Sequence, residues 1–102
     1  MRVRLSPLVP GDLEEIADYI AQDSPRQAVR VLRALYAKIK QIAKQPRLYQ
    51  LRPEIAAEAR LALVGHYVIL FRIRNSVVRV ERVVHGSRDL AAILDETESQ
   101  VW

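Results

Sequence analysis

The residues with reactive side chains are concentrated at the end of one apolar segment, in the stretch RVERVVHGSRDL at positions 79–90. His85 is one of only two histidines in the chain, and Arg88 follows three residues later. Histidine exchanges protons near neutral pH, and arginine holds anionic oxygens through a fixed fork of donors. The stretch therefore indicates either a site that contacts a target or the plain end of a strand, with the histidine ring bonded to a backbone carbonyl.

Gly86 and Ser87, between these two side chains, have a structural explanation of their own. Glycine permits a positive φ, and serine is a favoured cap at the start of a helix. We expect a strand to end at His85 and Ser87 to cap a short helix over residues 88–94. The serines of the chain therefore predict caps and not nucleophiles.

No cofactor and no metal are predicted. His66 and His85 can approach each other across the open end of a hairpin, but a zinc site needs at least a third ligand, and the sequence places none there. The three glycines, at positions 11, 65 and 86, form no phosphate-binding loop. The chain has no cysteine, which excludes disulfides and thiolate ligands.

The composition is that of one globular domain, with 102 residues, of which 50% are hydrophobic and 27% are charged. No segment is typical of a signal peptide or a membrane span, so we expect a cytoplasmic protein with no membrane partner. The net charge of +4 is segregated along the chain: residues 1–23 hold five acids, whereas residues 24–53 hold eight bases and no acid. Segregated charge usually marks a partner surface.

Hydrophobic periodicity predicts the elements that position His85 and Arg88. Residues 3–6 predict a strand (β1), and Ser6-Pro7 and Ser24-Pro25 resemble the starts of two helices (α1 and α2), with α1 regular from about residue 11 and α2 ending at Pro46. Three strands at 60–64, 66–74 and 77–85 (β2, β3 and β4) precede the helix at 88–94 (α3). The order β1-α1-α2-β2-β3-β4-α3 predicts an α+β fold, a mostly antiparallel sheet with a two-helix hairpin packed on one face. The domain is predicted to span 1–94, followed by an acidic tail at 95–102.

A tight turn at Asn75-Ser76 pairs Arg74 with Val77 and so predicts two faces of the sheet. The face against the helices would carry Tyr67, Ile69, Phe71, Ile73, Val78, Val80 and Val84. The other face, left uncovered, would carry Val68, Leu70, Arg72, Arg74, Arg79, Glu81, Val83 and His85. Arg82 breaks the pattern, so that either a bulge near Glu81 resets the alternation or Arg82 lies at a solvated rim. On α1, Asp12 is expected on the solvent side with the other acids.

Four segments together resemble a known family: DLEEIADYIA (12–21), QPRLYQLRPEI (45–55), GHYVILFRI (65–73) and VERVVHGSRDL (80–90). The chain is similar to the RelE/ParE superfamily of toxins from type II toxin–antitoxin systems, and its last segment resembles the ParE branch most. The resemblance implies the fold above and one of two activities: ParE-type toxins inhibit DNA gyrase, and RelE-type toxins cut mRNA on the ribosome. In either case it implies a cognate antitoxin, here a ParD-like one.

The RelE branch implies catalytic groups that this chain matches only in part. Tyr67 stands where an arginine is expected after the glycine of the long strand, Arg88 matches a second arginine, and Leu94 stands where a tyrosine is expected. We therefore expect a gyrase inhibitor that acts by binding, with Arg82, His85 and Arg88 in contact with the target. In the alternative, a ribosome-dependent endonuclease, His85, Arg88, Arg82 and Tyr67 are the catalytic candidates.

The antitoxin is expected on the uncovered face of the sheet and on the basic side of α2. An exposed apolar patch rimmed by one sign of charge is typical of a partner interface. The candidate contacts are Val68, Leu70, Arg72, Arg74, Arg79 and Val83 on the sheet, and Arg30 and Arg33 on the helix. The few aromatic residues form no stacking platform, so direct nucleic-acid binding by the free toxin is not predicted.

Overall fold

A computed structural model of the chain describes residues 1–98, and its elements follow the predicted order, so the predicted fold class is confirmed. The elements are β1 (Arg2–Leu5), α1 (Val9–Ala21), α2 (Pro25–Lys44), β2 (Arg60–Val64), β3 (Tyr67–Arg74), β4 (Val77–His85) and α3 (Leu90–Glu98). A short 3₁₀ turn at Pro46–Leu48 follows α2. None of the helices in this described part of the chain is long and apolar enough to cross a membrane.

The four strands form one sheet in the order β1-β4-β3-β2. The pairs β2–β3 and β3–β4 are antiparallel, whereas β1 runs parallel to β4. The pairing of β1 ends at Leu5 opposite Val80. The second half of β4, from Glu81 onwards, therefore has a strand neighbour on the β3 side alone among the described residues.

Helices α1 and α2 form an antiparallel hairpin because only residues 22–24 join them. The Ser24 hydroxyl caps α2 by accepting a hydrogen bond from the Gln27 N–H (3.1 Å), and Pro25 occupies the first helical position, as predicted. Leu35 and Ile42 of α2 have no exposed surface and form part of the core. The stripe of apolar residues along α2 thus packs on the sheet, as its spacing predicts.

Helix α1 begins at Val9, between the predicted start at Ser6-Pro7 and residue 11, from which it was expected to be regular, and it has no side-chain cap. The predicted cap, Ser6, instead turns its hydroxyl toward the sheet and donates to the Glu81 carbonyl (2.6 Å). Asp12 lies three residues after Val9 and four before Ile16, so it shares their buried stripe and is 7% exposed. The expectation that Asp12 faces solvent is therefore wrong.

The β3–β4 hairpin turns at Asn75 and Ser76, whose φ values of 53° and 60° are those that a tight two-residue turn requires. Arg74 pairs with Val77, as predicted. The face of the sheet that packs against α1 and α2, here called the hairpin face, includes Ile69, Phe71 and Val80, none of which has exposed surface. This face forms the larger of two apolar clusters.

A β-bulge at Glu81 resets the alternation of β4, which is the first of the two alternatives that the sequence left open at Arg82. Phe71 pairs with Val80 and Leu70 pairs with Arg82, so Glu81 has no partner on β3. The predicted faces are therefore wrong beyond the bulge: Val83 packs in the cluster of the hairpin face, and Val84 packs in the cluster on the opposite face. His85 turns to the hairpin side as well, where its ring meets Tyr67.

The opposite face of the sheet, here called the tail face, is covered by α3 and residues 55–59. Val68 and Leu70 are 3% and 0% exposed and pack with Ala59, Ile93 and Leu94. The expectation of an uncovered apolar face is therefore wrong. Nine residues of α3 supply the cover, and nothing in their spacing indicates where they dock.

The charged residues of the tail face are buried or half-exposed, and they form ion pairs or bonds to backbone carbonyls. Arg72 and Arg79 are 4% and 3% exposed; Arg72 Nε donates to the Ala57 carbonyl (3.1 Å), and Arg79 Nε lies 3.1 Å from Glu81 Oε1. Arg74 lies 3.5 Å from Glu58. Of the three arginines expected to form an exposed basic rim on this face, Arg74 alone is exposed.

Helix α3 extends through Glu98, so the predicted boundary at Leu94 falls inside it. Thr97 is fully buried, and its hydroxyl donates to the Ile93 carbonyl (3.0 Å). Residues 99–102 of the predicted acidic tail lie outside the described residues. Residues 95–98 belong to the helix that covers the tail face.

Candidate functional site

The end of the sheet where β4 stops and β3 begins forms an open pocket of about 470 Å³ against α1. Glu15 and Tyr19 of α1 form one wall, and Tyr67, His85 and Arg88 form the other. Three of the four residues predicted for target contact or nuclease chemistry are therefore brought together. The fourth, Arg82, does not line the pocket.

The His85 ring is fixed by Ser87. The Ser87 N–H donates to His85 Nδ1 (3.1 Å), and the Ser87 hydroxyl lies 2.8 Å from the same atom. A backbone N–H can only donate, so we assign Nδ1 as an acceptor and place the proton of the neutral ring on Nε2. The sequence allowed a hydrogen bond from the His85 ring to a backbone carbonyl. The structure instead shows the ring accepting a hydrogen bond from a backbone N–H.

Ser87 is therefore not the cap of α3, which begins at Leu90. Asp89 caps the helix instead, since its Oδ1 accepts a hydrogen bond from the Ala92 N–H (3.2 Å). The helix begins two positions later than predicted. The hydroxyl of Ser87 is thereby released to hold His85.

Gly86 is needed for close approach and not for a positive φ. Of the three glycines, only Gly65 has a positive φ. The Gly86 N–H donates to the His66 carbonyl (2.8 Å), and a Cβ at position 86 would lie 3.3 Å from that oxygen. A side chain there would press the end of β4 away from the start of β3. The predicted reason for this glycine is therefore wrong, although its place at the strand end is as predicted.

Three aromatic rings meet at the mouth of the pocket. Tyr67 stands edge-on to His85 (centroids 5.6 Å apart, 78°), and His66 stacks on His85 (5.9 Å, 11°). Burial raises the pKa of the Tyr67 phenol above its usual 10.0, and nearby Tyr19 adds to the rise. Tyr67 is therefore protonated at neutral pH, where it offers an O–H donor and no base.

Arg88 is exposed and has no ion-pair partner among residues 1–98. Its backbone N–H bonds to the His85 carbonyl (3.1 Å), which fixes the turn after β4. With His85 Nε2–H and the Tyr67 hydroxyl, its guanidinium gives the pocket three donors suited to an anionic or carbonyl oxygen. Glu15 is the lining carboxylate that forms no ion pair within the described chain.

Arg82 is bound inside the protein. Its Nε and Nη2 donate to the two carboxylate oxygens of Asp12, each at 2.8 Å, and its Nη1 lies 3.6 Å from Glu96 of α3. These bonds, chiefly the one to Asp12, raise the pKa of Arg82 above its usual value. Its guanidinium therefore joins α1, β4 and α3 and is not presented to a target.

The sequence contained a signal for this ion pair. Asp12 lies four residues before Ile16 and so interrupts the apolar stripe of α1, and Arg82 interrupts the apolar pattern of β4. Two opposite charges that each break an apolar pattern are candidates for one buried pair, because either charge alone would be costly to bury.

No metal site is built by the residues described. Within positions 1–98, no cluster of three or more histidine, aspartate or glutamate side chains has the arrangement to hold a metal ion. His66 and His85 are stacked, so that their rings lie face to face.

The antitoxin-binding candidates lie in two different environments. On the sheet, Val68, Leu70, Arg72, Arg79 and Val83 are buried. On α2, Arg30 and Arg33 are exposed, and the same helix exposes Val29 and Tyr36, which are 47% and 50% exposed. Only the α2 candidates and Arg74 are thus open to a partner without a rearrangement.

A family model described as the ParE toxin of type II toxin–antitoxin systems, parDE, matches residues 3–90. Among solved structures, the chain is similar to the chromosomal ParDE toxin–antitoxin system from P. aeruginosa, with a TM-score of 0.73, 17% identity, and coverage of 83% of this chain and 95% of that chain. It is also similar to the RelBE2 toxin–antitoxin complex from Mycobacterium tuberculosis, with a TM-score of 0.57, 23% identity, and coverage of 82% and 95%. At these low identities, the two similarities establish a shared fold and nothing beyond it. No curated protein sequence matches. Because the family model matches most of its length, the chain belongs to the ParE family of toxins from type II toxin–antitoxin systems.

Proposed function

We propose that this toxin arrests growth by binding DNA gyrase in the cytoplasm through the pocket at the end of the sheet, with no chemistry of its own. The observation that carries this proposal is the set of donors at one pocket wall: Nε2–H of His85, the hydroxyl of Tyr67 and the guanidinium of Arg88. Cleavage of RNA needs a proton acceptor as well as donors. Gripping a partner needs only the donors.

The two positions at which the chain departs from the RelE pattern support the same reading. Tyr67 replaces a cation with a phenol whose pKa is raised. Leu94 is 1% exposed, packs on the tail face and does not line the pocket. His85 and Arg88 are the proposed target contacts, and Arg82 supports them from inside the protein.

The proposal is tested by a supercoiling assay with purified gyrase. We expect the toxin to inhibit supercoiling and to lead to cleaved DNA, and we expect preincubation with the cognate antitoxin to restore activity. Full gyrase activity in the presence of excess folded toxin would contradict the proposal.

A ribosome-dependent endonuclease is the second candidate, and the position of Glu15 favours it. Its carboxylate lines the pocket that holds Tyr67, His85 and Arg88, so it would supply the proton acceptor that these three lack. Glu15→Gln keeps the size of the side chain and removes this acceptor. If the toxin is a nuclease, primer extension on translated mRNA will show cuts that Glu15→Gln abolishes. If it acts by binding, no cuts will appear, and growth arrest by Glu15→Gln will match that of the wild type.

For the antitoxin, the exposed side of α2 is the proposed surface, at Arg30 and Arg33. Exposed Val29 and Tyr36 on the same helix add apolar area to a basic stripe, which suits an acidic and partly apolar segment. The sheet candidates beneath α3 would require that helix to move. The test is calorimetry of antitoxin binding at two salt concentrations.

The matched variants for that test carry the same change of charge. The double variant Arg30→Glu/Arg33→Glu is expected to lose affinity and salt dependence, whereas Arg2→Glu/Arg47→Glu, at exposed positions away from this stripe, is expected to retain both. Equal affinities for the two double variants would exclude the α2 stripe as the antitoxin surface.

A further inference from the structure

The bulge in β4 decides which way the pocket residues point. Alternation continued without a break from Val80 would direct His85 to the tail face, as the sequence pattern predicts. The extra residue, Glu81, shifts the remainder of the strand by one position, so that His85 meets Tyr67 on the hairpin side. The bulge therefore places the His85 ring beside Tyr67 in the pocket.

The backbone at the bulge is satisfied by groups outside the sheet ladder. The Ser6 N–H donates to the Val80 carbonyl (2.9 Å), and the Ser6 hydroxyl donates to the Glu81 carbonyl (2.6 Å). On the other side of the bulge, the Val83 N–H donates to Asp12 Oδ2 (3.0 Å). Ser6 and Asp12 thus take the place of a strand neighbour where β1 has ended.

Arg82 completes this arrangement. Its two-pronged bond fixes the Asp12 carboxylate in the orientation that also accepts the Val83 N–H. Ser6 and Asp12 are 1% and 7% exposed, so water does not compete freely for these bonds. Removal of Asp12 would leave the Val83 N–H without its acceptor and would leave β4 beyond the bulge held on one side.

We infer that Ser6, Asp12 and Arg82, here called the bulge clamp, are positioning residues that aim His85 and Arg88 into the pocket. They act through the backbone of β4. Asp12 also lines the pocket, but its carboxylate is occupied by Arg82 and the Val83 N–H. This inference deepens the proposed function by naming what builds its site, but it holds for any target of the pocket. Its test therefore uses no gyrase.

The test is NMR spectroscopy of the whole chain with Asp12→Ala, Asp12→Asn and, as a stability control, Ser24→Ala. Ser24→Ala removes the cap of α2 and leaves the bulge untouched. In Asp12→Ala we expect the cross-peaks between the His85 and Tyr67 rings to be lost and the Val83 amide to exchange on the order of tenfold faster. Asp12→Asn keeps an oxygen for the Val83 N–H and is expected to retain the cross-peaks.

A purely structural role for Asp12 would lower the melting temperature and leave the ring contact unchanged, as is expected for Ser24→Ala. Wild-type cross-peaks in folded Asp12→Ala would therefore overturn the inference. Should Asp12→Ala not fold, Ser6→Ala carries the same test from the other side of the bulge. We expect it to weaken the contact between His85 and Tyr67, and cross-peaks of wild-type strength would overturn the inference. A failure of gyrase inhibition would leave this result unaffected.

Discussion

The hairpin face and the tail face of the sheet are covered by elements of very different size. Two helices of 13 and 20 residues pack on the hairpin face around Phe71, whereas a nine-residue helix and a short irregular segment pack on the tail face. The tail face also buries charge, in Arg72, Arg79 and Glu81. The comparison indicates that the hairpin face carries most of the stability and that α3 is a local cover at the end of the chain.

Phe71→Ala tests the hairpin face and has the largest expected effect. Phe71 has no exposed surface and contacts Tyr49 edge-on (centroids 5.6 Å apart). We expect a loss of about 4 kcal/mol in the free energy of unfolding. The ring's apolar burial is lost, and the two long helices cannot shift enough to close the cavity that remains. Urea unfolding measures it. A loss below about 1.5 kcal/mol would contradict the assignment of the main core to this face.

Leu94→Ala is the matched change on the tail face, since Leu94 is 1% exposed. We expect a smaller loss, about 2 kcal/mol, because a short terminal helix can shift into the gap. Hydrogen exchange should rise in α3 and residues 55–59 and remain slow in β3 and α2. A uniform rise over the whole chain, with a loss equal to that of Phe71→Ala, would show that the two faces unfold as one unit.

The smallest expected effect on stability comes from Tyr67, at the end of the hairpin face that lines the pocket. It is a decline in the free energy of unfolding at alkaline pH. The pKa of Tyr67 is raised above 10.0 in the folded state by burial. Its neutral form therefore stabilises the fold below pH 10, and this contribution is lost as the pH rises through the folded-state pKa. We expect wild-type stability to decline above pH 10 more than that of Tyr67→Phe. Parallel declines of the two proteins in urea unfolding would contradict this.

The sequence predicted the hairpin face well because its signals are periodic and local. Ile69, Phe71 and Val80 alternate along regular strands, and the Asn75-Ser76 turn fixes their register. The tail face was missed because covering it is a tertiary event. Val68 and Leu70 carry no mark of what packs on them, and α3 is too short for its own pattern to indicate a docking place.

The sequence predicted which residues form the site but not the contacts that hold them in place. His85, Arg88 and Tyr67 do line one pocket. The partner of Arg82 was not predicted because Asp12 was grouped with the exposed acids of α1, although it lies four residues before the buried Ile16. The sequence predicts a positive φ at Gly86, whereas the residue is small because the His66 carbonyl, 20 residues earlier in the chain, lies close to it. Long-range contacts of this kind leave no local pattern.

Gyrase inhibition by Arg88→Glu, compared with Arg47→Glu, is the sharpest test of the functional role of the pocket. Both arginines are exposed; Arg88 lines the pocket, and Arg47 lies in the 3₁₀ turn after α2 and outside the pocket lining. We predict that Arg88→Glu raises the toxin concentration for half-inhibition of supercoiling by about tenfold or more, because it replaces a donor with a repelling carboxylate. Arg47→Glu should match the wild type. Wild-type inhibition by a folded Arg88→Glu variant would contradict the assignment of the pocket as the surface that grips the target.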